Sequence, residues 1–339
     1  MKVLLYFQDQ DTFKKSGIGR ALKHQMTALS TNNIEYTLNP KDSFDIAHIN
    51  TYFKKSQKVL KKCKKKGIPV IVHGHSTFED FKDSFRAWKM IEPYYQKCLK
   101  KMYSKADCIV TPTPYSKSLI SNYPFVSCPV YDLSNGIDIN EYSRNEEAIK
   151  EYKEYFKIKD NDKVIISIGW FFKRKGIDDF INVAKKLPDY KFIWFGHQPK
   201  WQTQGKILKE IKNKPDNVIM PGYISGPIIK GALQAADLMF FPSREETEGI
   251  VLLEAMATSL PILVRDIKVY DPWLKNKYNC YKEKDINGFI TAIPQILNDE
   301  NRFIYANNAY ECVNEKTLDK IGKRLKEIYS EVYEKNKLK

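Results

Sequence analysis

Long apolar runs are missing from this sequence. None extends much beyond about ten residues, roughly half of what a membrane-crossing helix needs, so no span is expected. The opening residues, MKVLLYFQDQD, hold an apolar stretch too short for the core of a secretory leader and are expected to belong to the fold. Cysteine is sparse and scattered. The six thiols, at positions 63, 98, 108, 128, 280 and 312, show no C-x-x-C spacing, which points away from zinc and disulfide frameworks and toward reduced thiols in the cytoplasm. No repeat of roughly 20 to 50 residues recurs, which argues against a solenoid. Carboxylates and histidines do not cluster at metal-ligand spacing, and no divalent cation is expected to be required.

What is present is chain enough for two domains. Its 339 residues, 42% hydrophobic and 13% aromatic, have globular composition and can build two separate cores. Lys and Arg number 56 against 41 Asp and Glu, a net charge of +15. Such a balance favours acidic partners: nucleic acid, an anionic membrane surface or phosphorylated substrates. The charge is unevenly placed. Residues 1–138 carry 20 Lys and 2 Arg against 12 acids, net +10, which leaves 34 bases against 29 acids, net +5, for the rest. Residues 54–66 (KKSQKVLKKCKKK) hold eight lysines, with Val59, Leu60 and Cys63 as the thin apolar seam of a cationic helix.

Short β-branched and aliphatic runs alternate with longer helix-like stretches, as in a parallel sheet covered on both faces. The runs Val3–Phe7, Ile34–Leu38, Ile46–Ile49, Val70–His73, Cys108–Thr111 and Val130–Leu133 are expected strands of a first unit. Lys163–Ile168, Lys191–Phe195, Val218–Met220, Leu238–Phe241 and Pro261–Val264 are expected strands of a second. The reading is α/β, with two Rossmann-like doubly wound parallel-sheet domains, residues 1–140 and 141–313. Residues 314–339 form a helix whose stripe of Leu318, Ile321, Leu325, Ile328 and Val332 packs back across the seam.

The segment REETEGIVLLEA, residues 244–255, reads as a polar turn entering a helix, with Glu246 and Glu254 separated by seven residues. Glu246 is expected in the loop and Glu254 a turn or more into the helix, with Gly249 near its start. A helix N-terminus offers free N–H groups and a partial positive charge suited to a diphosphate, and a carboxylate one turn on can accept both hydroxyls of a ribose.

This segment, preceded by Ala235-Ala236-Asp237 and Pro242-Ser243, resembles the nucleotide-sugar site of the retaining GT-B glycosyltransferases of family 4. Three further stretches are similar to that family in the expected order: SGIGR (residues 16–20), SNGID (134–138) and GWFFKRKG (169–176). The resemblance implies a GT-B fold, two such domains facing a cleft. It places Lys175 at the donor diphosphate and Gly169 in the same loop. Trp170 stands where the family usually has an arginine, and Arg174 is the expected substitute. Glu254 then binds the ribose, Glu246 contacts sugar or phosphates, and the backbone at Gly249 and Ile250 holds the diphosphate. Gly17 and Gly19 form the glycine loop facing the donor. PVIVHGHS (69–76) resembles the strand ending in the family's active-site histidine, which makes His75 that residue, with His73 one pleat away.

Other motifs are weaker. G-I-G-R-A-L at 17–22 lacks the last glycine of a dinucleotide fingerprint, and Asp9-Gln10-Asp11 and Asp160-Asn161-Asp162 are expected turns rather than metal-holding D-x-D pairs.

The wider pattern, including KSGIGRALKHQ, HINTY, VHGHSTFEDF and FFPSREETEGIVLLEA, resembles the bacterial enzymes that add a second hexose to monoglycosyl-diacylglycerol. That implies UDP-glucose or UDP-galactose as donor, a glycolipid acceptor and no permanently bound cofactor. It also implies a peripheral location on the cytoplasmic face of an anionic membrane. The cationic helix and the aromatics Phe81, Phe85, Trp88, Tyr94 and Tyr95 suit such a surface, each lysine near an anionic leaflet contributing about 1 kcal/mol. A soluble family 4 enzyme for a polysaccharide or teichoic acid precursor remains open. So does a basic nucleic-acid-binding protein, although no recognition motif supports nucleic acid as a partner.

Overall fold

The structure is a computed structural model that describes residues 1–9 and 16–338. Of the Asp9-Gln10-Asp11 triplet only Asp9 falls within the described residues. In chain order the first unit comprises β1 (Lys2–Tyr6), α1 (Gly17–Thr31), β2 (Glu35–Thr37), β3 (Ile46–Ile49), α2 (Lys54–Lys65) and β4 (Val70–His73). It continues through α3 (Phe78–Phe81), α4 (Trp88–Tyr103), β5 (Cys108–Thr111), α5 (Pro114–Ser121) and β6 (Val130–Asp132). The second unit runs α6 (Glu146–Tyr155), β7 (Val164–Ile168), α7 (Ile177–Lys186), β8 (Lys191–Phe195), α8 (Gly205–Lys212), β9 (Val218–Gly222) and α9 (Pro227–Ala235). Then come β10 (Leu238–Phe241), α10 (Ile250–Ala257), β11 (Ile262–Arg265), β12 (Tyr281–Glu283), α11 (Ile286–Asn298), α12 (Arg302–Asn314) and α13 (Leu318–Lys337).

Each unit holds one six-stranded sheet, in the orders β2-β1-β3-β4-β5-β6 and β12-β11-β10-β7-β8-β9, with every described pairing parallel. Alternate residues of a strand serve opposite faces. Val3 and Leu5 join the core shared with α1 and α13, while Leu4 and Tyr6 join the one beneath α2 and α4. Both sheets are covered on both sides, which is why their strands read as continuous apolar runs.

The strand order reverses between β1 and β3 in the first sheet and between β7 and β10 in the second. In open α/β sheets, ligands bind outside the carboxyl ends of strands at such a switch point. The chain crosses between units at Ser134–Asp138 and returns beside itself: Ile137 N–H donates to Lys316 O (3.0 Å) and Leu318 N–H to Ile137 O (3.2 Å). Helix α13 then lies on α1 of the first unit, burying Leu318, Ile321, Leu325, Ile328, Tyr329 and Val332, each apolar side chain contributing about 2 kcal/mol. Gly322 permits the approach, since a Cβ there would lie 2.2 Å from Ala28 O. Among the described residues no helix is long and apolar enough to cross a membrane.

Candidate active site

The end of β7 and the end of β10, which flank the second switch point, carry the basic turn and the acidic loop that faces it. After β7, Gly169 lets the Lys175 stem lie alongside, its Cγ 3.7 Å from where a Cβ would stand. Residues Lys173–Lys175 form a single 3-10 turn, closed by Gly176 at φ 74°. A Cβ at Gly176 would lie 2.3 Å from Pro242 O, so only glycine both adopts this backbone and fits against the end of β10. Arg244 clamps the turn from the other side: its N–H donates to Arg174 O (2.6 Å), and its guanidinium bonds Lys173 O and both carboxylate oxygens of Asp178 (2.8 and 3.1 Å).

The result is an ion pair between half-buried Lys175 and buried Glu246. Lys175 Nζ donates to Glu246, whose Oε1 also accepts from Ser243 Oγ (2.8 Å), and Arg174 Nη1 lies 3.9 Å from Glu246 Oε2. Burial works against the Glu246 carboxylate, yet Lys175 and Arg174 outweigh it and hold its pKa below the ordinary value. Burial pulls the Lys175 ammonium down, with Glu246 opposing. Arg174 also reaches the first unit, its Nε donating to Ser84 Oγ (2.7 Å) and its backbone N–H to Asp83 O (3.3 Å), while its Nη1 donates to Glu245 O (3.1 Å) of its own unit. Two carboxyls that the sequence reading missed stand nearby. Burial raises Asp80 to about 6 and Glu245 to about 7, and Glu245 Oε2 accepts from Tyr115 OH (3.3 Å).

Helix α10 is capped by Gly249 at φ 93° and begins at Ile250, placing Glu246 in the loop and Glu254 one turn into the helix. Glu254 is 1% exposed, and its carboxylate pairs with Arg20 of α1, reaching across from the first unit. Gly17 and Gly19 form the first turn of α1, where Ser16 Oγ accepts from Gly19 N–H (3.2 Å).

Between the two expected carboxylates lies a third, also missed. Buried Glu248 accepts from Ser134 Oγ, Asn135 N–H (3.0 Å) and Asn135 Nδ2 (2.7 Å), with Lys316 Nζ at 3.6 Å, so it ties both interdomain crossings to the acidic loop. Thr113 Oγ1 adds a bond to Thr247 O (2.8 Å). No local pattern marks Glu248, because its partners Ser134 and Asn135 are 114 and 113 residues away.

His75 stands at the carboxyl end of β4, buried, with Nε2 bonded to Asn50 Oδ1 (2.9 Å) and its ring stacked on His73 (3.8 Å between centroids). The structure brings Lys175, Arg174 and Glu246 together, while the contacts of His75 are with Asn50 and His73 of the first unit. Burial lowers His48 and His75 to about 3 and His73 well below its ordinary value. Unfolding below the ordinary pKa near 6.5 therefore takes up protons that the folded chain refuses. Stability is expected to be fully present above about pH 6.5 and to fall as the pH drops toward 3. A His48→Gln variant should show a slope of unfolding free energy shallower by about 1.4 kcal/mol per pH unit in urea titrations between pH 4.5 and 6.

The aromatic surface differs from expectation. Phe81 and Tyr95 are buried, Tyr95 OH donating to Thr77 O (2.6 Å), while Phe85 and Trp88 are half-buried. Tyr95, Cys98, Leu99 and Met102 form the inward stripe of α4, so the side chains turned outward are Met90 (83% exposed), Ile91 (43%) and Tyr94 (51%). Asp160-Asn161-Asp162 makes the turn before β7, where Asp162 accepts from Lys159 N–H (2.6 Å). Among the described residues no group of three or more His, Cys, Asp or Glu converges as a metal site requires.

The comparisons with known proteins agree with this architecture. Residues 148–311 match the family described as glycosyl transferases group 1, and residues 26–141 match glycosyltransferase family 4. The chain is 48% identical over 332 residues, 98% of each chain, to the processive diacylglycerol alpha-glucosyltransferase of Acholeplasma laidlawii. It is 33% identical over 140 residues, 40% of this chain and 37% of the other, to the alpha-galactosylglucosyldiacylglycerol synthase of Streptococcus pneumoniae. Among solved structures, the Anabaena protein HepE in complex with UDP and glucose superposes with a TM-score of 0.78 at 16% identity, covering 97% of this chain and 99% of that one. Sucrose-phosphate synthase from Thermosynechococcus elongatus does so at 0.83 and 15%, covering 98% and 99%. Two parallel sheets with paired switch points, an acidic loop leading into α10 and a full-length relative at this identity lead to one assignment: the chain belongs to the family 4 glycosyltransferases of the GT-B fold.

Proposed function

We propose that this enzyme transfers glucose or galactose from its UDP-sugar to monoglycosyl-diacylglycerol, with retention of anomeric configuration, at the cytoplasmic face of the membrane. The observation that carries the reading is the Lys175–Glu246 pair at the β7/β10 switch point, one loop away from Glu254 on α10. A UDP-sugar in that crevice sets its ribose hydroxyls on Glu254, displacing Arg20, and its diphosphate near Lys175 and the start of α10. As the glycosidic bond stretches, negative charge grows on the leaving phosphate and the Lys175 ammonium stabilises it in a water-poor cleft, a contribution of several kcal/mol. The same phosphate takes the acceptor's proton on the face it departs from. His75, neutral and acceptor-capable, orients the sugar rather than acting as an acid. No divalent cation is needed in this scheme.

The acceptor reading is supported by the name of the Acholeplasma relative and by the surface of the first unit. Helix α2 lays Leu60 and Cys63 inward and turns most of its lysines to solvent, and α4 presents Met90, Ile91 and Tyr94. Cationic and apolar groups side by side suit an anionic bilayer.

Radiolabelled UDP-glucose and UDP-galactose, incubated with vesicles carrying diacylglycerol or monoglycosyl-diacylglycerol, test this directly. Diglycosyl lipid formed from one of the two donors is expected, with recovery on floated vesicles higher for anionic than for neutral lipid. A Met90→Asp/Ile91→Asp variant should lower the vesicle partition constant by about 100-fold or more, since inserting the two apolar side chains together contributes about 3–6 kcal/mol. Transfer to soluble saccharides without lipid, and none to glycolipid, would replace this reading by the polysaccharide one.

A further inference from the structure

Three imidazoles stand in a row inside the first unit, and only His75 has a task in the reading above. His48 on β3 and His73 at the end of β4 stack with ring centroids 5.2 Å apart, and His73 stacks in turn on His75 at 3.8 Å. The row is bonded along its length: Tyr329 OH lies 2.8 Å from His48 Nδ1, His48 Nε2 3.1 Å from His73 Nδ1, and Gln25 Nε2 2.7 Å from the same atom. All five groups are buried. Tyr329 belongs to α13, which arrives 281 residues after His48.

We propose that Tyr329, His48 and His73 form a positioning chain that fixes the ring and the tautomer of His75. The inference rests on the reading that His75 meets the donor sugar. One proton assignment keeps the row continuous. Tyr329 donates to His48 Nδ1, and the single lone pair of His73 Nδ1 is shared by His48 Nε2–H and Gln25 Nε2–H, while His73 Nε2–H is buried without a partner among the described residues. His75 Nε2–H donates to Asn50 Oδ1, leaving His75 Nδ1 with a free lone pair for a sugar hydroxyl. His75 is thus held at its edge by Asn50 and on its face by His73, and His73 keeps its place through His48 and Tyr329.

Packing does not require this arrangement. The rest of the α13 stripe is apolar, and a phenylalanine at 329 would fill the same space; the hydroxyl is useful there only through its bond to His48. Charge enters the stack poorly, because burial and the neighbouring rings disfavour an imidazolium on any of the three. The chain therefore works by orientation and not by passing a proton through His⁺. It also gives the crossing of α13 onto the first unit a consequence for catalysis: the last helix of the chain braces a residue of the cleft.

The test compares wild type, Tyr329→Phe and Val332→Ala, the last disturbing the same helix without touching the chain. Long-range ¹H–¹⁵N imidazole spectra report ring tautomers without any reaction, and steady-state kinetics report turnover. We expect His75 as the Nε2–H tautomer in the wild type, with its resonances and those of His73 shifted in Tyr329→Phe. In that variant kcat should fall about tenfold with KM for the UDP-sugar within about twofold. Val332→Ala should lower Tm while leaving both readouts unchanged. Unchanged spectra and kcat in Tyr329→Phe, or an equal loss of kcat in Val332→Ala, overturn the proposal. Coupled shifts in an enzyme that turns over no UDP-sugar support the chain and reject the donor reading instead.

Discussion

Replacing Lys175 by methionine is expected to lower turnover by about 10²- to 10³-fold while weakening UDP-sugar affinity far less, because the ammonium meets its full charge only as the phosphate departs. The variant also leaves Glu246 buried without its main partner. Arg174, 3.9 Å away and already bonded to Ser84 and Glu245, compensates in part. Removing one member of a buried pair typically costs 3–5 kcal/mol, so a loss of about 3 kcal/mol in urea unfolding is expected here. Adding Glu246→Gln removes the stranded charge. The double variant should regain most of the stability and none of the turnover, which separates the structural use of the pair from its catalytic use. A Lys175→Met enzyme that keeps the wild-type rate would end the account of charge stabilisation, whatever its stability.

The second large effect concerns Glu254. Its replacement by alanine should weaken UDP binding by about 10- to 100-fold in calorimetry, the loss of two hydrogen bonds to a charged acceptor offset in part because the nucleotide no longer displaces Arg20. The fold should barely notice. Arg20, the partner left behind, has a side chain 37% exposed and can turn its charge to water. The converse substitution is asymmetric. Arg20→Ala strands a carboxylate that is 1% exposed, so it should destabilise the fold more than Glu254→Ala does. Equal stability of the two single variants would show that burial of the stranded carboxylate does not set the cost, and UDP affinity untouched by the loss of Glu254 would mean that the carboxylate serves only the contact between the two units.

Both predictions share a physical theme. Three charges of the site are paired: Lys175 with Glu246, Glu254 with Arg20, and Glu248 with Lys316 and the crossing segment. On the proposed reading a nucleotide sugar competes for these partners, and its binding free energy is then the difference between the bonds it makes and the ion pairs it breaks. Three of the contacts reach across the cleft, since Arg20, Ser84 and Asn135 bond to Glu254, Arg174 and Glu248. On the same reading, exchanging the Arg20–Glu254 pair for ribose contacts would alter an attachment between the domains as well as the charge of the crevice.

Local composition by itself determined the elements. Runs such as Ile46–Ile49, Val70–His73 and Leu238–Phe241 are strands with the boundaries expected of them, because a segment buried on both faces must be apolar throughout. The stripe of α13 and the placement of Gly249 before Glu254 were legible for the same reason: helical periodicity and capping are properties of neighbours in sequence. Strand β12 was not, since Tyr281–Glu283 is an edge strand with only Tyr281 buried, and it exists through its pairing with β11. Nor could the sequence tell which aromatics of α4 face outward, because Tyr94 and Tyr95 differ by one helical step and only the sheet beneath decides between them. Which carboxylates matter was likewise a tertiary matter. Glu248 and Glu245 bond to groups more than a hundred residues distant, brought near by strand order, whereas Asp80 caps its own short helix with Thr77, three residues back. Periodicity is written in adjacent residues, whereas charge pairing inside a cleft is settled only when two sheets, each with its own reversal of strand order, are set face to face.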